Sequence, residues 1–123
     1  AFAALQYVSS EVKKVVCRVL SVTCAGCPVH PPEGYADGLS EGSYDFSSRG
    51  FAPCVGVDED PVCGSAHTML GPYWADKLGT TSLLARAASP RGGNVRVQVN
   101  GERTVLSGKV VTTLISQLLV HQD

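Results

Sequence analysis

The clearest periodic pattern in the chain predicts a helix over residues 65–78. Its apolar positions recur at intervals of three and four residues, which is the spacing of one broad helical face. They are Ala66, Met69, Leu70, Tyr73, Trp74 and Leu78. Pro72 removes one backbone donor and is expected to bend the helix, and Gly79 supplies a C-terminal stop. We therefore expect strands to pack along this apolar face.

Shorter segments on both sides of the helix predict strands. Residues 14–23 are rich in β-branched side chains and alternate loosely, and residues 43–52 form a second candidate strand. After the helix, residues 82–88 form another, and every second residue of the segment 95–99 is a valine, as in a half-buried strand. One helix among several strands indicates an α+β domain.

The chain ends are less regular. Asn100-Gly101 is the strongest hairpin signal in the chain and favours a type I′ turn, from which residues 103–106 return as a strand. The apolar segment 109–120 predicts a final strand or pair of strands, and residues 1–6 predict the end of a helix.

Composition agrees with one compact domain over residues 1–123. Of these residues, 44% are apolar and 17% are charged, which excludes an intrinsically disordered class. The net charge is −1 and there is no long basic run, so neither nucleic acid nor a membrane surface is expected as a partner. No apolar stretch approaches the ~20 residues that span a bilayer.

The five cysteines indicate reduced thiols rather than disulfides. They are Cys17, Cys24, Cys27, Cys54 and Cys63. Their number is odd and residues 1–8 lack a signal-peptide pattern, so we expect a cytoplasmic protein. Cys24 and Cys27 with His30 resemble part of a zinc site, but no further ligand pair completes it, so no metal is expected. The three prolines and four glycines of residues 24–42 predict a loop.

The segment from Val57 to His67 carries the chemistry. Its carboxylates stand just before a Gly-Ser step that opens the predicted helix. A helix start exposes unpaired N–H groups and the positive end of the helix dipole, so it can hold an anion. A carboxylate beside such a site can move a proton on a substrate whose own carboxylate is held. The simpler alternative is a helix boundary with solvated acids.

The wider string resembles the phenazine-biosynthesis-like isomerase family (PhzF-like). The resemblance is carried by Ser48-Arg49-Gly50-Phe51-Ala52-Pro53, Glu59-Asp60-Pro61-Val62 and Gly64-Ser65-Ala66-His67, followed by Tyr73-Trp74, Ser89 and Arg91-Gly92-Gly93. It runs from about Tyr44 to Val111. Residues 1–43 match only loosely.

The resemblance implies a fold like that of diaminopimelate epimerase. Each of its two halves is a curved mixed or antiparallel sheet wrapped around one central helix, and the site lies in the cleft between the halves. The matched motifs belong to the C-terminal half. The N-terminal half would carry an acidic residue in an Asn-x-x-x-Glu-Thr-like context, which this chain lacks. We therefore expect the chain to carry half of an active site and to need the missing N-terminal half as its partner.

The resemblance implies Asp60 as the acid/base residue and Gly64, Ser65 and Ala66 as the binding segment for a small carboxylate-bearing substrate. Pro61 fixes the local backbone and Gly64 opens the approach to it. Ser65 offers a hydroxyl and a helix-terminal N–H to a carboxylate or enolate oxygen. The structural alternatives are a helix-entry acid for Asp60 and a first-turn serine for Ser65.

Three further side chains are candidates for substrate binding. His67 in the first helical turn either lines the cleft or packs inside. Arg49 and Arg91 are candidates for orienting an anionic substrate. Arg49 is equally suited to an ion pair with Asp45 or Glu59.

Cys63 stands where the family usually has threonine. One interpretation is a small buried replacement, because cysteine behaves as a small hydrophobe in interiors. The other is a thiol of lowered pKa before a helix start, acting as the base of an amino-acid epimerase.

Two function classes are consistent with these features. The first is a cofactor-independent isomerase that transfers protons at carbon on a small carboxylate, since no phosphate loop, dinucleotide fingerprint or metal cluster suggests a cofactor. The second is a non-catalytic interaction or dimerisation domain that keeps the fold. A partly apolar surface left open toward the missing half makes a homodimer an expected form of the isolated chain.

Overall fold

The computed structural model describes residues 2, 5–27 and 44–117 of the chain. Two helices are present in this part, α1 (Ser9–Val12) and α2 (Gly64–Leu78), with a short 3-10 turn at Pro53–Val55. The strands are β1 (Leu20–Ala25), β2 (Phe46–Ala52), β3 (Val57–Asp60), β4 (Ser82–Ala87), β5 (Gly93–Asn100) and β6 (Arg103–Ser107).

The six strands form one mixed sheet in the order β1-β2-β4-β5-β6, with β3 also paired to β2. Only the β2–β4 pair is parallel among the described strands, and the chain connects these two strands through β3 and α2. The α2 helix packs on β4, β5 and β6. The predicted α+β class and the central helix against a mixed sheet are confirmed.

Two strands share one edge of β2. Because β1 follows β2 along its whole length on one edge, β4 and β3 divide the other edge between them. On this edge Ala87 lies opposite Ser48, while Asp60 lies opposite Gly50. Since β3 runs antiparallel and β4 parallel to β2, the two strands arrive from opposite directions and their carboxyl ends meet. The candidate site lies at this meeting point.

The apolar core lies between the C-terminal half of α2 and the sheet. Its buried members are Phe46, Trp74, Leu83, Ala85, Val95 and Val97. The Trp74 and Phe46 rings stack with centroids 5.6 Å apart, and the Trp74 indole N–H donates to Thr23 Oγ1 at 2.9 Å. The helix comes so close to the sheet that a Cβ on Gly71 would stand 2.6 Å from Cγ1 of Val97. A glycine is therefore needed at position 71 for this packing.

The predicted apolar face of α2 is wrong in part. The residues that are buried are Ala66, His67, Gly71 and Trp74, whereas Met69 is 71% exposed and Tyr73 49% exposed. Leu78 is also exposed. The sheet covers the helix on the side of Gly71, and the opposite side, which carries Met69 and Tyr73, is left open among the described residues. The helix itself begins one residue earlier than predicted and continues through Pro72.

The structure corrects other predicted boundaries as well. The first strand begins at Leu20 and includes Cys24 and Ala25, which the sequence pattern places in the loop. Gly26 and Cys27 lie outside the strand as predicted, and residues 28–42 of that loop lie outside the described residues. The acidic segment Val57–Asp60 is an edge strand rather than a simple helix entry. No described residue of segment 1–6 is helical, and the short helix begins at Ser9 instead.

The C-terminal predictions are correct for the hairpin and wrong for the segment after it. Strands β5 and β6 pair from Asn100↔Arg103 outward, with Gly101 and Glu102 as the turn residues. Only Gly101 has a positive φ there (58°), so the turn is not type I′, which needs two such residues. Residues 109–117 form no strand and are exposed, because no described strand lies beside them to pair with; residues 118–120 of the predicted strand lie outside the described residues.

Candidate active site

The loop that follows β3 carries Asp60 and leads directly into α2. The Asp60 side chain is half-buried, and its Oδ1 accepts a hydrogen bond from the Val62 backbone N–H at 3.0 Å. This bond to the residue two positions on forms an Asx turn, which fixes the carboxylate against its own loop. No described residue donates to Oδ2 of Asp60. One carboxylate oxygen is thus held while the other is available for proton transfer.

The start of α2 is open. Gly64 and Ser65 are exposed, and a Cβ built on Gly64 would meet nothing within 4 Å. Cys63 occupies the N-cap position, and its side chain makes no capping hydrogen bond. The first N–H groups of a 15-residue helix therefore lack a side-chain acceptor from the cap and lie at the positive end of the helix dipole. Such an arrangement can hold a carboxylate.

Ala66 and His67 point the other way. Ala66 is buried, and His67 is only 1% exposed. The Nδ1 atom of His67 lies 2.7 Å from the carbonyl oxygen of Cys63, and Nε2 lies 3.3 Å from Oγ of Ser48. Since a carbonyl oxygen can only accept, Nδ1 carries the proton, and the neutral ring then accepts the Ser48 hydroxyl proton at Nε2. In this chain the His67 ring packs behind the helix start rather than opening to solvent.

Burial also sets the charge of His67. Desolvation lowers the pKa of the imidazole below its ordinary value, and this effect outweighs the raising effects of the Cys63 carbonyl and the nearby Asp60 carboxylate. The ring is therefore neutral around pH 7, which agrees with its hydrogen bonds.

Cys63 is buried beside β2. A Cβ on Gly50 would stand 3.4 Å from Cβ of Cys63, so the glycine leaves room for the cysteine side chain. The thiol lies 3.5 Å from the hydroxyl of Ser65. This close packing supports the interpretation of Cys63 as a small buried replacement over the interpretation as an exposed thiol base.

Arg49 is engaged in an ion pair. Its Nε and one terminal nitrogen donate to the two carboxylate oxygens of Glu59 at 2.7 and 2.9 Å, and a third nitrogen donates to the Leu5 carbonyl. The bidentate bond to Glu59 raises the pKa of Arg49. Of the two alternatives for Arg49, the structural ion pair with Glu59 is therefore the one present. It ties β2 to the edge strand that carries Asp60.

Arg91 is exposed in the turn between β4 and β5. This turn is joined to the Asp60 loop by Ser89, whose hydroxyl donates to the Pro61 carbonyl at 2.8 Å and accepts from the Gly92 N–H at 3.0 Å. A Cβ on Gly93 would collide with the Val62 side chain. The structure thus brings the turn of Arg91 next to the loop of Asp60, even though about thirty residues separate them in sequence.

Sequence reasoning missed two supporting residues, Ser48 and Ser89. Both residues are buried; Ser48 connects β2 to His67 of α2, and Ser89 connects the turn after β4 to the loop of Asp60. Each stands inside a segment that carries the family resemblance, but neither has an assigned role there. The available signal for Ser48 is its place in a predicted strand, where a buried hydroxyl needs a partner.

Cys24 lies near the end of β1, and Cys27 follows this strand by two residues. Burial, followed by the proximity of Cys27, raises the pKa of the Cys24 thiol. Within residues 5–27 and 44–117, no three His, Cys, Asp or Glu side chains are grouped as metal ligands. In the same part of the chain, neither helix has the length and apolar character needed to cross a membrane.

Comparison with known proteins gives concordant results. The sequence model of the family described as "Phenazine biosynthesis-like protein" matches residues 8–115. An uncharacterised isomerase of Halalkalibacterium halodurans is 53% identical over 77 residues, and phenazine biosynthesis-like domain-containing protein 2 of Mus musculus is 49% identical over 70 residues. These alignments cover 63% and 55% of this chain, but only 29% and 24% of the two relatives.

The fold has solved counterparts. A crystal structure of a phenazine biosynthesis protein of the PhzF family from Enterococcus faecalis superposes with a TM-score of 0.70 at 36% identity, covering 86% of this chain and 35% of that one. A putative phenazine biosynthesis PhzC/PhzF protein from Clostridium difficile gives 0.63 at 25% identity, covering 91% and 40%. Both superpositions agree with the expectation that this chain has half of an epimerase-like fold. With its matched family model, its aligned relatives and this shared fold, the chain belongs to the phenazine biosynthesis-like protein family.

Proposed function

We propose that this chain supplies one wall of an isomerase active site that transfers a proton at carbon on a small carboxylate-bearing substrate. Asp60 is the acid/base residue. The N–H groups of Gly64 and Ser65, with the Ser65 hydroxyl, hold the substrate carboxylate or the enolate oxygen that forms when the proton leaves. Arg91 contributes positive charge at the rim, and the chemistry proceeds without a cofactor.

One observation carries the proposal. A carboxylate with one engaged oxygen, at Asp60, stands four residues before an uncapped and exposed helix start at Gly64. Proton transfer at carbon needs a base on the C–H bond and donors on the oxygen that gains charge, and these two groups supply both. The names of the bacterial relatives as isomerases support the same reaction class.

A single wall is not sufficient for turnover. Orientation of a substrate and exclusion of water require groups on both sides of a cleft, and the chain spans about a quarter to a third of the length of the curated relatives it matches. We therefore propose the remaining part of a longer protein, matching the N-terminal half of the family, as the natural partner. In its absence, the exposed side of α2 with Met69 and Tyr73 favours a homodimer of the isolated chain.

The experiment uses exchange with solvent deuterium as its measure. The chain is joined to the missing half and incubated in D₂O with a panel of small carboxylates, and exchange at carbon is followed by mass spectrometry. We expect Asp60→Asn to lower the exchange rate roughly 100-fold or more, the usual loss for a positioned acid/base group. The isolated 123-residue chain is expected to give no exchange.

Cys63→Thr is the matched control, because it changes the neighbouring site position while keeping a small side chain. We expect it to leave the exchange rate nearly unchanged. If Cys63→Thr abolished exchange and Asp60→Asn spared it, the thiol-based epimerase would be the correct interpretation. Robust turnover by a monomer of the isolated chain would refute the half-site proposal.

A further inference from the structure

The buried His67 ring has contacts that reach the proposed binding site without touching a substrate. It accepts from Ser48 on β2 and donates to the carbonyl oxygen of Cys63 at the start of α2. The Cys63 carbonyl also accepts the ordinary helical bond from the His67 backbone N–H, at the longer distance of 3.3 Å. The side-chain bond of 2.7 Å is thus the shorter of the two and has the larger influence on this carbonyl.

The Cys63 carbonyl and the Gly64 N–H belong to one peptide group. That group is planar and trans, so its C=O and N–H point in opposite directions and cannot rotate independently. Holding the carbonyl inward toward the His67 ring therefore holds the Gly64 N–H outward, at the open start of the helix. Hydrogen bonds in a chain also polarise one another, so donation to the carbonyl strengthens the N–H as a donor.

We propose that His67 is a positioning residue, which aims the Gly64 N–H at the substrate carboxylate by fixing the Cys63–Gly64 peptide group from behind. The proposal rests on the proposed function of the α2 start as a carboxylate site. It assigns His67 a role different from direct substrate binding. Ser48 also helps to orient the ring, because its hydroxyl donates to the ring nitrogen that does not contact Cys63.

The surroundings of the ring agree with a fixed orientation. The Phe46 ring lies against it with centroids 5.9 Å apart, and the Ser48 carbonyl is itself bonded to the Ala88 N–H at 2.8 Å. The ring is therefore held between β2 and its own helix, and the backbone of β2 at Ser48 is itself bonded to the residue after β4. A histidine fixed on both nitrogens in this way has one tautomer, with the proton on Nδ1.

The first test reads this tautomer directly. Long-range proton–nitrogen NMR of the ¹⁵N-labelled chain near neutral pH should show His67 protonated at Nδ1 and bare at Nε2. The His67→Gln spectrum identifies the His67 signals, since the chain also contains His30 and His121. A proton on Nε2 alone would overturn the proposal, because Nδ1 would then be unable to donate to Cys63.

The second test compares two substitutions that each keep half of the imidazole. His67→Asn places an amide N–H near the position of Nδ1, whereas His67→Gln places its amide near Nε2 and leaves nothing for Cys63. Malonate is the probe, and its dissociation constant is measured from the shifts of the Gly64 and Ser65 amide resonances. In His67→Asn we expect this constant to be within about 3-fold of the native chain's. In His67→Gln we expect malonate to bind roughly 10-fold more weakly, which corresponds to the loss of one hydrogen bond to a charged group.

Retention of malonate affinity in His67→Asn would distinguish a positioning role of His67 from a role in core packing alone. Equal losses in the two variants would overturn the proposal, since both remove the same ring. If malonate failed to bind the native chain, the carboxylate site would fail, while the tautomer and the unliganded Gly64 resonance would still decide the role of His67.

Ser48→Ala provides a milder variant if His67→Gln does not fold. It keeps the whole ring and removes only the donor to Nε2. The Cys63 carbonyl still selects the Nδ1 proton, so we expect the native tautomer, but we expect the Gly64 amide resonance to shift because the ring is held at one nitrogen only. A Ser48→Ala chain with the native Gly64 resonance would count against the proposal.

Discussion

The two ends of α2 are held by different forces. At the C-terminal end, Trp74 packs on Phe46 and the valines of β5 in an apolar core. At the N-terminal end, His67 is held by hydrogen bonds to Ser48 and Cys63, and the helix start at Gly64 and Ser65 is exposed. Apolar packing gives stability without a defined direction, whereas hydrogen bonds fix the orientation of particular groups. The helix is thus anchored at one end and oriented at the other.

The largest expected effect comes from removing the anchor. Trp74→Ala deletes the stacked indole and its hydrogen bond to Thr23, so we expect the free energy of unfolding to fall by about 3–5 kcal/mol. Urea denaturation followed by circular dichroism measures it. Tyr73→Ala, measured at a protein concentration at which the chain is monomeric, is the matched control, because its ring is half exposed in the single chain and a loss below about 1 kcal/mol is expected there. Similar losses for both variants at that concentration would show that Tyr73 is covered within the single chain.

A smaller effect distinguishes the two helix glycines. Gly71→Ala forces a Cβ within 2.6 Å of Val97, so we expect a loss of about 1–3 kcal/mol in unfolding free energy, despite the better helix propensity of alanine. Gly64→Ala meets no atom within 4 Å, and we expect a change below about 1 kcal/mol. Thermal or urea unfolding of both variants measures the difference. A destabilised Gly64→Ala with a tolerated Gly71→Ala would reverse our assignment of the packed and open ends.

The smallest expected effect is a pH dependence of the stability, which arises from His67 at the N-terminal end of α2. Burial lowers the pKa of His67 in the folded chain below its ordinary 6.5, so the unfolded chain binds a proton more readily. The stability that neutral His67 contributes is therefore fully present above pH 6.5 and is lost as the pH falls below this value. Unfolding midpoints measured between about pH 7.5 and 5 should decline in this window, and less so in His67→Asn, which cannot titrate.

The groups that face His67 determine what else contributes to the decline in stability over this pH range. Ser48 and the Cys63 carbonyl do not titrate there, and the Asp60 carboxylate favours the protonated ring and so reduces the decline. An identical decline in the native chain and in His67→Asn would contradict the assignment to His67. It would place the pH dependence on other groups of the chain.

Local signals in the sequence were sufficient for the elements around α2. The helix, its stop at Gly79 and the hairpin of β5 and β6 are encoded by spacing and by turn residues within a few positions of one another. The family motif also located Asp60 and Gly64-Ser65 at a helix start, because their proximity results from adjacency along the chain.

Contacts between distant segments could not be predicted in the same way. Periodicity selected a helix face with Met69 and Tyr73, but the sheet approaches on the side of Gly71, where the absence of a side chain is what permits contact. Segment 109–117 has strand-like composition and no strand, since a strand exists only with a hydrogen-bonded neighbour. The sequence pattern did not predict β3, because this charged segment lacks apolar alternation and is a strand only through its pairing with β2.

By itself, the sequence determined the helix, its open start and the acid that precedes it, because these depend on the backbone geometry of neighbouring residues. Only the tertiary structure decided that His67 turns inward to Ser48, that Arg49 is bound to Glu59, and that the turn of Arg91 meets the loop of Asp60. The physical reason is that each of these contacts joins separate segments of the chain. They exist because β3 and β4 end at the same place on β2, and this pairing is fixed by the fold as a whole.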